Sequence, residues 1–277
     1  MTNLKELFAE LLFRLKDALI DLCKGSSISF FALLSAVVML SRINISVDLS
    51  AHGRTRENIY FRFRINESDL LPYDEIFKKN IYDQFIHPLK GDVVFDVGAN
   101  SGIYALKVSK QVGKTGVVVA IEPNPEVFRW LSSNIQENNG SKIILLNAAA
   151  ASKNCSATLS VPYRWSVGGG LNVGKKNTIS YTVRCLSLDN VAQFAGFPNI
   201  IKIDVEGAEL DVLQGAKLIL STSKPQIVIE THPPPLGPPI SEIVDYLTEM
   251  GYECKIFTHR DILLQSSNCA YVFAKKD

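Results

Sequence analysis

After Gly91 the chain alternates short apolar runs with longer amphipathic stretches, and this alternation constrains its fold more than any other feature. The runs at 93–97, 117–121, 143–146, 200–203 and 227–229 read as buried strands. Between them, 103–111, 125–138, 208–220 and 241–250 carry apolar residues at helical spacing. A strand that is apolar on both sides needs cover on both faces. Repeated strand–helix units therefore predict an α/β fold, a mostly parallel sheet with helices on both faces. The segments 254–257 and 270–273 read as a closing hairpin, and 157–188 as an irregular or β-rich insertion that contains Gly168-Gly169-Gly170.

Two regions precede this domain, at 91–277. Residues 1–42 predict an N-terminal helical segment. Leu4, Leu7, Phe8, Leu11, Leu12, Leu15 and Leu19 recur at helical spacing with charges between them, and a second apolar run covers 28–40. A membrane span needs about 20 apolar residues, so this run is short for one. The segment reads either as helices packed on the following domain or as a peripheral membrane contact, since amphipathic helices can lie in an interface. Residues 43–90 read as lead-in strands and a helix. Ile43, Ile45, Val47 and Leu49, then Ile59, Phe61, Phe63 and Ile65, alternate with polar residues, which predicts two antiparallel strands around His52-Gly53. A helix is expected at 73–84.

Charge and cysteines narrow the partners. The 29 basic and 28 acidic residues nearly cancel and form no long basic run, so no nucleic-acid partner is expected. The five cysteines are odd in number and include no CxxC pair, which predicts neither a disulfide framework nor a zinc site. Scattered single thiols suit a reducing compartment, so the expected location is cytoplasmic, with membrane association through residues 1–42 as the variant.

Ligand chemistry concentrates where the first strand of the alternation ends, in Asp96-Val97-Gly98-Ala99-Asn100-Ser101-Gly102. Glycines let the backbone turn and approach a ligand, and the helix start offers free N–H groups and a positive dipole end that suit a carboxylate. This is not the dinucleotide fingerprint: GxGxxG would need glycine at position 100, where Asn100 stands. The next strand ends in Ile121-Glu122-Pro123-Asn124-Pro125, and a carboxylate there can accept both ribose hydroxyl protons. Asp96, Gly98, Asn100, Gly102 and Glu122 are therefore candidate cofactor contacts. Asp96 would face an ammonium group, or else stabilise the loop.

With Ile201-Lys202-Ile203-Asp204-Val205-Glu206-Gly207-Ala208-Glu209 added to these two stretches, the chain resembles the FkbM family of methyltransferases over roughly residues 59–274. The resemblance implies a Rossmann-like class I methyltransferase sheet of seven strands with an antiparallel last strand. It implies S-adenosyl-L-methionine as cofactor and O-methylation of a hydroxyl, often on a sugar or glycan or on a secondary metabolite. It also implies that Asn147 and Ala148 lie near the adenine.

Acceptor chemistry is expected at two neighbouring strand ends. Lys202, Asp204 and Glu206 alternate along one, Glu230 and His232 along the other. Asp204 and Glu206 are expected to face cofactor and acceptor, with His232 as candidate base. The plainer readings are a helix-capping role for Glu206 and a solvated loop position for His232. Asp204, Glu206, Glu230 and His232 could ligate a hard cation such as Mg²⁺, but no metal motif is present and none is expected. The aromatic and glycine-rich 162–170 is the candidate acceptor wall or lid, and the proline-rich 233–239 a second wall. Two other classes compete: a nicotinamide-dependent oxidoreductase, and a non-catalytic cofactor-binding scaffold tethered to a membrane.

Overall fold

The structure, a computed structural model, describes residues 50–55, 58–64, 70–138, 142–162, 170–171, 178–232, 234–258 and 270–276. The expected helices within 1–42 and most of the glycine-rich 162–170 lie outside them. Among the described residues no helix is long and apolar enough to cross a membrane. The chain divides into two compact units, one of 1–51 with 63–70 and one of 52–62 with 71–277. Of the first, only the outer ends of β1 (Ser50–Arg54) and β2 (Tyr60–Arg64) and the first residue of α1 (Leu70–Tyr73) are described.

β1 and β2 form a two-stranded sheet. The expected turn at His52-Gly53 is displaced, because β1 runs through those residues and the chain reverses at Thr55–Ile59. There the Thr55 N–H donates to the Ile59 carbonyl at 2.9 Å and Asn58 takes a left-handed φ of 61°, a conformation asparagine tolerates better than most residues. Instead of one helix over 73–84, α1 runs into a π turn at Asp74–Lys78, and a separate 3-10 turn follows at Tyr82–Gln84.

The main sheet has seven strands: β3 (Val93–Val97), β4 (Val117–Ile121), β5 (Ile143–Leu146), β10 (Ile200–Ile203), β11 (Gln226–Thr231), β12 (Glu253–Thr258) and β13 (Ala270–Lys275). Their order is β12-β13-β11-β10-β3-β4-β5. β3 pairs in parallel with both β4 and β10, and β13 is antiparallel to β11, so strand order reverses at β3. Side chains alternate between two cores. Phe95, Val97, Ile201, Ile203, Ile227 and Ile229 face the first, covered by α4 (Leu188–Ala195), α5 (Glu209–Gln214), α6 (Lys217–Thr222) and α7 (Ile240–Glu249). Val94, Val118, Ala120 and Val228 face the second, covered by α2 (Ile103–Val112), α3 (Pro125–Glu137) and the turns at 74–86. Burying one such side chain is worth about 1.5–3 kcal/mol, so this two-sided burial is what makes the continuous apolar runs necessary.

One expectation changes here, and one open alternative resolves. The helix expected over 208–220 is broken into α5 and α6, because Gly215 lies against the backbone of the next layer: a Cβ on it would sit 2.0 Å from the Ala151 carbonyl oxygen. Of the two readings of the insertion, the β-rich one holds for its described residues. β6 (Ala149–Ala150), β7 (Cys155–Pro162), β8 (Gly170–Leu171) and β9 (Thr178–Leu186) form a second sheet in the order β6-β9-β7-β8, with Ala149, Leu159, Val161, Val183 and Cys185 in its own core.

Candidate cofactor and acceptor site

A cleft of about 780 Å³, counted with its open mouth, lies at the carboxyl ends of β3, β4 and β10. Gly98, Asn100, Glu122, Asp204 and Glu206 line it, together with an apolar wall that includes Ile121, Val127, Ala149, Leu159 and Val161. This is the place ligands take in open α/β sheets, beside the point where strand order reverses.

The glycine loop is held from below and from the side. The N–H groups of Gly98 and Ala99 both donate to the Ile121 carbonyl, at 3.0 and 2.9 Å. Gly98 has a φ of 79°, and a Cβ on it would sit 1.7 Å from the Asp204 carbonyl oxygen. The close approach that sequence reasoning assigned to the ligand is thus first an approach to the end of β10. Asn100 follows with φ 49°, and its buried Oδ1 has no hydrogen-bond partner among the described residues. Glu122 is buried, and its two oxygens accept from the N–H groups of Asn100 at 3.0 Å and Asn124 at 2.9 Å. Its carboxylate therefore braces the loop as well as lining the cleft. Asn134 of α3, fully buried, donates to the Ser101 carbonyl at 2.8 Å and accepts from the Arg62 N–H at 2.8 Å, tying the loop to β2.

Other expected contacts stand apart from the cleft lining. Asp96 shares a sheet face with Val94, beneath the loop. It is fully buried, with Oδ1 3.3 Å from Lys202 Nζ, so its carboxylate pairs with that ammonium. Burial raises its pKa and Lys202 opposes the shift. Gly102 is the N-cap of α2. Asn147 turns its amide back onto the carbonyls of Glu122 at 2.8 Å and Pro123 at 3.2 Å, and Ala148 points into the first core. The residues that reach the cleft from this stretch are Ala149 and Ala150.

Lys202, Asp204 and Glu206 do not share one face as expected. Lys202 lies on the second-core side, where its Nζ donates to the Gly98 carbonyl at 3.0 Å and approaches Asp204 Oδ2 at 3.5 Å. Burial alone would lower its pKa, yet Asp96, Asp204 and Glu230 together hold it above the ordinary value. Beyond β10 the chain turns at Glu206, whose φ is 54°. That conformation is costly for a residue with a Cβ, and it carries Glu206 away from Lys202 to within 3.3 Å of His232 Nε2. Glu206 does not cap α5; Glu209 reaches back to the Gly207 N–H at 3.0 Å instead.

His232 is buried rather than solvated. Its Nδ1 lies 2.8 Å from Oε1 of the fully buried Glu209. Its Nε2 lies 3.3 Å from Glu206 Oε2, so the ring is held between two carboxylates, one at each nitrogen. Burial raises the pKa of Glu206, with Asp204 and Glu209 adding and His232 opposing. One donor atom each from Asp204, Glu206 and His232 falls within 4.8 Å of the others. Glu230 is separate: it faces the second core, where the Tyr82 hydroxyl donates to it at 3.5 Å, and burial, then Asp204 and Glu75, push its pKa up to about 8. Sequence reasoning missed Glu209, Ala149, Ala150, Leu159 and Val161. Glu209 stood inside the quoted motif; the others had no local signal.

A family model described as the methyltransferase FkbM domain matches residues 96–254. The hexuronic acid methyltransferase AglP of Haloferax volcanii is 33% identical over 144 residues, which cover 51% of this chain and 56% of that protein. The chain thus spans little more than half the length of this curated relative. Among solved structures, fibrillarin of Aeropyrum pernix, in complex with natively bound S-adenosyl-L-methionine, gives a TM-score of 0.50 at 13% identity over 83% of this chain and 84% of that one. The methyltransferase FkbM of Methylobacillus flagellatus KT gives 0.49 at 18% identity over 70% and 50%. The fibrillarin likeness shows a shared class I methyltransferase fold, and the family match extends from the glycine loop to β12: this chain belongs to the FkbM methyltransferase family.

Proposed function

We propose that this chain methylates a hydroxyl of a sugar or glycan, with S-adenosyl-L-methionine as methyl donor. The observation that carries the reading is the arrangement at the cleft rim. A buried histidine, held at Nδ1 by a buried carboxylate, places its Nε2 3.3 Å from Glu206, which lines the cleft. The cleft fits the cofactor: Asn100 offers an unused buried acceptor, Glu122 a carboxylate, and the wall of Ile121, Val127 and Leu159 an apolar surface for a purine. When bound, the cofactor supplies a methyl group already activated by its sulfonium.

The chain's own residues then hold the acceptor and remove a proton. An acceptor hydroxyl against Glu206 can pass its proton to the Glu206–His232 pair, and Glu209 keeps the ring turned to receive it. A positioned base of this kind contributes about 10²–10⁴-fold, and orientation of the reactants about 7–11 kcal/mol of the barrier. The AglP likeness supports a hexuronic acid as the first acceptor to test. Such a sugar carries both hydroxyls and a carboxylate. A carboxylate arrives ionised and needs no base, so the His232–Glu209 arrangement favours a hydroxyl.

Calorimetry with S-adenosyl-L-methionine, then transfer of labelled methyl to hexuronic acids and neutral sugars, tests the reading. Binding followed by a base-stable methyl ether supports it. Folded protein that binds no cofactor would sink it, and a base-labile methyl ester would overturn the hydroxyl assignment. The amphipathic pattern of residues 1–42 supports a peripheral membrane contact, which co-sedimentation with anionic vesicles tests.

A further inference from the structure

We propose that Cys155 and Cys185 form a redox-active thiol pair: an exposed thiol reacts with a small disulfide, and its buried neighbour then closes a cross-strand disulfide beside the cofactor cleft. The two residues stand directly opposite in the antiparallel β7–β9 ladder, in register with Ser156 opposite Arg184. Opposed residues in such a ladder have Cα atoms about 4.5 or 5.5 Å apart, and disulfides span about 4.4–6.8 Å. Both thiols are free in the structure, Cys155 exposed and Cys185 only 1% exposed. The Cys155 thiol lies close enough to Cys185 to raise its pKa. The odd count and wide spacing of the cysteines hid this pair, since 30 positions of sequence separate two residues that the sheet places face to face.

The roles divide by exposure. Cys155 is exposed and is the thiol an oxidant meets first, while burial, with Cys155 beside it, pushes the Cys185 thiol up to about 11. The Cys155 thiolate attacks one sulfur of a disulfide such as oxidised glutathione, releasing one thiol and leaving a mixed disulfide. Cys185 then attacks the Cys155 sulfur and releases the second thiol. Two protein thiols lose two electrons and two protons, and the oxidant is reduced to two thiols. Cys185 packs in one apolar cluster with Ala149, Leu159 and Val161, all of which line the cleft, and it pairs with Ala149 across the β6–β9 ladder. The new bond therefore pins one end of the strands whose other residues wall the site.

The test treats the full folded chain with oxidised glutathione, followed by digestion without reductant and mass spectrometry. The expected product is a Cys155–Cys185 linked peptide pair that reduced glutathione reverses. Amide exchange across β7 and β9 is expected to slow on oxidation. In Cys185→Ala the glutathione should remain on Cys155, and in Cys155→Ser residue 185 should stay unmodified while the protein is folded, as monitored by its melting curve. A wild-type protein that keeps glutathione on Cys155 without cross-linking overturns the pairing. Modification of Cys185 in folded Cys155→Ser overturns the division of roles. Unchanged exchange overturns the stiffening of the wall.

Discussion

The two sides of the cleft are built by different means. On the β3–β4 side, the cleft is lined by a glycine loop, one carboxylate and apolar side chains. A loop of seven residues has its N–H groups oriented by the Ile121 carbonyl and by one carboxylate, Glu122. On the β10–β11 side, Asp204, Glu206, Glu209 and His232 are crowded together, and Lys202 beneath them pairs with Asp96. The first side can hold a ligand without gaining or losing a proton. The second holds several titratable groups at mutual contact, an arrangement suited to moving one. The division suggests that binding and proton transfer fail separately, and each substitution below tests that separation.

The largest effect is expected where the two sides touch. Gly98→Ala would put a methyl group into the Asp204 carbonyl at a backbone angle that disfavours any side chain. It should cost about 2–4 kcal/mol of stability and reduce cofactor affinity beyond detection, read by thermal melting and calorimetry together. A protein that still binds and melts normally would mean that the contact between the two sides is slack. Next comes His232→Ala, which should lower the methyl-transfer rate about 10²–10⁴-fold while cofactor affinity is retained. Glu209→Gln should give a smaller loss and a shifted pH–rate profile, because a neutral amide replaces the carboxylate against Nδ1. Parallel loss of affinity in either variant would break the division.

A smaller change is expected for Glu122→Gln, about tenfold weaker cofactor binding, of the size of one charge-assisted hydrogen bond, with the turnover of bound cofactor preserved. The smallest concerns Glu230. Its folded-state pKa of about 8 lies above the ordinary value of 4.5, so the folded form holds this proton more tightly than the unfolded form. The resulting stability is present below about pH 4.5 and is lost as pH rises towards 8. Glu230→Gln keeps the group neutral and should flatten that decline in a series of melting curves. An unchanged slope would show that Glu230 is solvated.

The sheet was legible because its strands are apolar on both sides and its helices are not. The runs 93–97, 117–121, 143–146 and 200–203 coincide with β3, β4, β5 and β10. The loop was legible for the same reason that it is local: Asp96 to Gly102 are consecutive, and the glycines mark the turn. Misreadings arose wherever a distant backbone intervened. Gly215 lies under the Ala151 carbonyl, so one expected helix became two. Asn147 was expected near the adenine, and its amide NH2 also donates to the carbonyls of Glu122 and Pro123. Simple alternation put Lys202, Asp204 and Glu206 on one side, and the left-handed turn at Glu206 separated them.

By itself the amino-acid order determined the α/β architecture, the position of the glycine loop and the acid after the second strand. These follow from periodicity and from neighbours in the chain. Tertiary structure alone decided which charges meet. Asp96 was turned to Lys202, His232 was placed between Glu206 and Glu209, and Cys155 was set opposite Cys185. The reason is physical: a buried charge or thiol takes its state from groups a few ångströms away in space, and sheet order, not sequence spacing, chooses those groups.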